Sequence, residues 1–68
     1  MKTKLYERRR KLKLSQRAVS VLSGVSERTY SDHERGFGRV CPIPFRVAIA
    51  KALQCKPEDV FDAQGVSK

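Results

Sequence analysis

Apolar side chains recur at helical spacing in five stretches of this chain, each bounded by capping or breaking residues. In 2–13, Leu5 and Leu12 share a face, Thr3 is a candidate cap, and Arg8 and Arg9 interrupt the stripe with charge. In 15–23, Val19 and Ser23 face inward and small Ser20 permits close approach, while Ala18, Val21 and Leu22 form a second apolar set at i, i+3 and i+4. In 26–35, Tyr30 points in, as does Val25 just before it, and Glu27, Arg28, Ser31 and Asp32 point out. The fourth stretch, 44–54, carries Phe45, Val47, Ile49, Ala50 and Leu53 around more than one face, so it is central or shares an interface. The fifth, 57–61, has acids in its first turn and Val60 and Phe61 as anchors. Sustained alternation and hairpin turns are absent, so the pattern predicts an all-α bundle.

The punctuation between stretches fixes the organisation. Gly24 can take the left-handed conformation that ends one helix, and Ser26 caps the next, as Ser15 does upstream. Cap, apolar run, glycine and cap within a dozen residues predict a helix-turn-helix that presents its second helix outward. Arg35-Gly36 closes that helix with a cation and a C′ stop. A loop follows from Phe37 to Ile43, loosened by Gly36 and Gly38 and stiffened by Pro42 and Pro44. Cys41 and Ile43 each precede a proline and are expected outside helical geometry. Pro44 suits the first turn of the fourth helix. Residues 1–62 form the domain, and 63–68 are expected to be a frayed, flexible tail.

Charge changes the picture. The chain nets +8, and residues 1–17 hold eight Lys or Arg against Glu7 alone, leaving +1 for the rest. The basic field belongs to the first helix and points to a polyanionic partner. That helix carries too few large apolar residues to lie on a membrane, and an export signal and a spanning run are both lacking. Cys41 and Cys55 show no metal-type spacing and are expected to be reduced thiols in a cytoplasm. His33 is expected as a half-buried packing residue, and Cys55 as a small core side chain. With one histidine and neither a glycine-rich phosphate loop nor paired cleft carboxylates, the chain is expected to be no enzyme. Catalytic residues, a metal, a cofactor and a small-molecule substrate are not expected.

In order, LSQ at Leu14–Gln16, GVS at Gly24–Ser26, Thr29, ERG at Glu34–Gly36, IAKAL at Ile49–Leu53 and PEDVF at Pro57–Phe61 resemble the lambda-repressor/Cro-like (XRE) helix-turn-helix family across residues 5–61. The resemblance implies a compact five-helix domain, a bacterial or phage setting and a third helix that reads DNA. It implies that Gln16 reaches the backbone or an edge base, and that Glu27, Arg28, Ser31 and Asp32 meet base edges. It also implies a structural pair between Arg9 and Glu34, bracing the first helix against the third.

Residue chemistry adds roles. Arg28 can give two hydrogen bonds to guanine, Glu27 can accept from cytosine, and Ser31 can do either. Ser15, Ser26 and Thr29 suit phosphate alongside their capping role, with Arg17, Arg35 and Arg39 supplying charge at the rim. A lone domain makes few base contacts, so a homodimer is expected, with the fourth helix, Phe45 and Phe61 as the candidate interface. The acids of the third helix and the apolar set Ala18, Val21 and Leu22 fit an alternative: binding a partner regulator protein through the same surface.

Overall fold

A computed structural model describes residues 3–37 and 39–68. The expected start of the first helix at Lys2 and the loop glycine Gly38 lie outside the described residues. Five helices follow in order: α1 Lys4–Lys11, α2 Gln16–Ser23, α3 Glu27–Arg35, α4 Ile43–Ala52 and α5 Pro57–Val60. The first three begin at hydroxyl caps, because the opening amides of a helix have no carbonyl within it to bond. The Tyr6, Ala18 and Thr29 amides donate to Thr3, Ser15 and Ser26 side chains at 3.3, 3.0 and 3.2 Å. Gly24 and Gly36 end α2 and α3, both at φ 74°.

Helix α4 opens one residue earlier than the proline rule predicts. Ile43 is its first residue, since the Phe45 and Arg46 amides both donate to Pro42 O, at 2.9 and 3.0 Å. Two helical bonds outweigh the crowding that Pro44 imposes on the residue before it. After α1 and α4 the chain turns through Lys13 and Gln54, both at φ 57°, where no glycine marks the turn.

The core is Leu5, Val19, Val25, Tyr30, Cys41, Ile49, Leu53, Val60 and Phe61, one cluster shared by all five helices and the loop. Helix α2 packs on α3 and α4, α1 on α3 and α5, and α4 on α5. Phe61, expected at a shared interface, is instead 1% exposed and fills this core. Cys41, in the loop before α4, is buried too.

The tail is paired where fraying was expected. The Asp62 side chain accepts from the Gln64 and Val66 amides, both at 2.9 Å, and turns the chain back. Phe61 and Ser67 then form an antiparallel bridge. The Lys4 and Cys41 amides donate to Lys68 O and Gly65 O at 2.6 and 2.8 Å. Ser67 Oγ donates to His33 O at 2.7 Å. The reason is acceptor demand: the first amide of α1 and a buried loop amide need carbonyls, and the tail supplies them.

Candidate nucleic-acid interface

Helix α3 presents two unlike faces because its polar positions and its core positions alternate at helical spacing. Outward, Glu27 and Arg28 stand exposed in the first turn, and Ser31 and Asp32 are partly covered one turn on. Glu27 sits where the helix dipole favours a carboxylate. Asp32 Oδ2 lies 3.6 Å from Arg39 Nη1, so this outward acid is met by the cation of the following loop. Arg17 and Arg35 are exposed. At the start of α3, Ser26 Oγ donates to Thr29 Oγ1 at 2.7 Å while capping the helix. Ser15 likewise caps α2 from an exposed position.

Beneath this face lies a buried polar cluster centred on Glu34. Arg9 donates from Nε at 2.6 Å and from Nη2 at 3.2 Å, one to each carboxylate oxygen. Tyr30 OH donates at 2.9 Å, and Gln16 Nε2 at 2.5 Å. Arg9 Nη1 also donates to Leu14 O at 2.8 Å, and Thr3 Oγ1 to Glu34 O at 2.6 Å. Burial alone would raise the Glu34 carboxyl, but the bonds from Arg9, Gln16 and Tyr30 outweigh it and hold it below its usual range. The same bond to Glu34 raises Arg9 against burial. Burial, then the Glu34 charge, pushes the Tyr30 phenol well up, so it stays a donor.

Sequence reasoning assigned Gln16 to DNA and Arg9 and Glu34 to a brace, and the fold brings all three into one cluster. Half-buried Gln16 spends one amide N–H on Glu34, which ties the side chain at the head of α2 to the last turn of α3. Thr3 and Tyr30 were missed as members. Tyr30 lies one turn before Glu34 on the same face, a spacing that marks the contact.

His33 is more buried than expected, 4% exposed, with its ring edge-on to Phe61 at 6.4 Å between centroids. Its Nδ1 has no hydrogen-bond partner among the described residues. Burial lowers its pKa, against the nearby Asp32 charge. Cys41 and Cys55 are unpaired thiols. On α2, Val21 and Leu22 are 74% and 62% exposed, and Ala18 is half-buried.

A family model described as a helix-turn-helix domain matches residues 3–64. The chain belongs to the helix-turn-helix family. The motif itself is α2, the turn at Gly24–Ser26 and α3. Its turn is pinned by hydroxyls: Ser20 Oγ donates to Val25 O at 2.6 Å, and Ser23 Oγ to Val19 O at 2.7 Å. Membership of the helix-turn-helix family places the chain among domains of the kind that DNA-binding regulators carry. No curated protein and no solved structure matches it. Among the described residues, no helix is long and apolar enough to cross a membrane.

Proposed function

We propose that this domain is a sequence-specific DNA-binding regulator of the repressor or Cro kind, which reads an operator with α3 in the major groove. The observation that carries the reading is Arg28, exposed in the first turn of a helix whose opposite face is braced by the Arg9–Glu34 pair. An exposed arginine on a fixed helix can meet guanine O6 and N7 without reorganising the protein. Glu27, Ser31 and Asp32 share that outward side and complete the base-contact set, with Gln16 at its edge. Ser15, Ser26 and Thr29, with Arg17, Arg35 and Arg39, take phosphates around it. The Arg39 contact to Asp32 lowers the repulsion between that acid and the DNA backbone.

The domain works as a homodimer on two half-sites about 34 Å apart. With Phe61 in the core, the dimer surface is the first half of α4, where Ile43, Phe45 and Val47 are 66%, 39% and 53% exposed. Selection of bound duplexes from a random library tests the whole reading. An inverted repeat among the enriched sequences supports it, and enrichment without pattern counts against it.

One observation favours a second reading. Val21 and Leu22 leave more apolar surface on α2 than a DNA-facing helix uses. In this reading a partner regulator covers Ala18, Val21 and Leu22. Val21→Glu that folds normally and loses a co-purifying protein supports it, whereas unchanged co-purification and unchanged DNA binding remove it.

A further inference from the structure

A cleft of about 750 Å³ opens between α1 and the α4–α5 corner, and no residue of α2 or α3 lines it. Its cations are Lys4, Arg8 and Lys11 from α1, with Lys51 and Lys56 across from them. At the floor lie Val60, 2% exposed, and the half-buried Cys55, whose thiol burial pushes up and so keeps neutral. Arg8 is fixed there, donating from Nε to Leu53 O at 2.9 Å and from Nη2 to Gln54 O at 2.8 Å. It thereby caps the carbonyl end of α4 and holds its charge in the cleft wall.

The two acids of the lining offset this field only in part, leaving a net charge of +3 from five cations and two acids. Glu7 Oε1 is 3.6 Å from Lys4 Nζ, and the Asp59 carboxylate accepts from the Lys56 amide at 3.1 Å at the start of α5. Lys11 and Lys51 remain exposed at opposite walls. Three of the eight cations that the sequence concentrates in residues 1–17 thus line this cleft, away from the outward face of α3.

We propose that this cleft docks an acidic, amphipathic segment of a partner protein. Lys4, Arg8 and Lys11 follow one another at i, i+4 and i+7, so they present cations at about one-turn intervals. A helical segment with carboxylates at the same intervals meets Arg8 and Lys11 directly and competes with Glu7 for Lys4, and an apolar side chain between them covers the half-buried Cys55. A duplex fits the cleft less well, because its phosphate ridge would have to be desolvated against that apolar floor. The aromatic stacking platform that single strands use is also missing from the lining.

The test is fluorescence anisotropy with a labelled peptide of about three helical turns, carrying Glu at i, i+4 and i+7 and Leu on the same face. A second peptide replaces each Glu with Gln. The full chain should bind the Glu peptide and not the Gln peptide. Lys11→Glu and Lys51→Glu should each weaken binding about fivefold, with both variants folded by circular dichroism. Lys13→Glu makes the same charge change outside the cleft and should leave peptide affinity unchanged. Arg28→Ala should likewise leave the peptide bound, which separates this test from the reading of α3. The proposal is overturned if neither peptide binds, if Lys13→Glu weakens binding as much as Lys11→Glu, or if Lys11→Glu weakens duplex DNA as much as peptide.

Discussion

Glu34 is the residue on which most others converge, and its neighbours set what its loss should do. Glu34→Ala leaves Arg9 buried without a counter-charge and frees Tyr30 OH and Gln16 from their acceptor, so urea denaturation should show a loss of about 3–5 kcal/mol. Replacing Arg9 and Glu34 together by Met and Leu should recover a large part of it. Among the groups that give the stability its pH dependence are His33 and Glu34, with Asp62, whose carboxyl the Val66, Gln64 and Gly65 amides hold below its usual range, adding to the acid limb. The His33 ring takes a proton more readily unfolded than folded, so stability is full above the unfolded pKa of 6.5 and falls as pH drops below it. Glu34, whose folded pKa is lowered from 4.5, adds a second loss as pH falls through that lowered value. His33→Leu should flatten the slope of unfolding free energy between about pH 7 and pH 5 and leave the acid limb in place. At this scale the sequence was readable where partners lie close or carry a family signature, as with Ser15, Ser26 and the Arg9–Glu34 pair. Arg8 was misread as an interruption of a stripe, because its carbonyl partners come from a helix end remote in the chain.

At the scale of elements, helix starts and the glycine-ended turns were legible because a capping hydroxyl and a left-handed glycine act within a few residues. The stops of α1 and α4 were read two residues late, at Lys13 and Gln54 instead of Lys11 and Ala52, since neither Lys13 nor Gln54 carries a side chain that marks φ 57°. The tail was the largest misreading. Its composition says exposed coil, but the demand for acceptors at Lys4 and Cys41 is created by other elements. Gly65 shows how close the docking is: at φ 94°, a Cβ there would run into the Arg46 guanidinium. Arg46 in turn donates to Cys41 O at 2.5 Å and Gln64 O at 3.2 Å. Gly65→Ala should therefore detach the tail while the helices stay folded. Amide hydrogen exchange at Lys4 and Cys41 should speed up by at least about tenfold. Unchanged protection at both amides would mean the tail does not hold them.

For the whole molecule, charge is divided between two surfaces. The outward side of α3 mixes Glu27, Arg28 and Asp32, while α1 carries five of the fifteen Lys and Arg and turns Lys4, Arg8 and Lys11 towards the α4–α5 corner. Affinity for DNA should then rest on a few rim cations. Arg17→Ala should weaken binding to all duplexes alike and lower the slope of log affinity against log salt by about one. Loss of preference for one base without a change in slope would instead make Arg17 a base reader. Fold class was legible from the five apolar stretches. The division of labour among the basic residues was not, because residue type alone does not say which face a cation serves.

The most direct test of the central claim is discrimination by Arg28→Ala. Wild type and variant are titrated against the best duplex from the random library and against a panel with each base pair of that duplex replaced in turn. The account predicts that the variant loses preference at one position per half-site, by roughly 1–3 kcal/mol, and keeps it elsewhere. An unchanged preference at every position would contradict the placement of α3 in the groove.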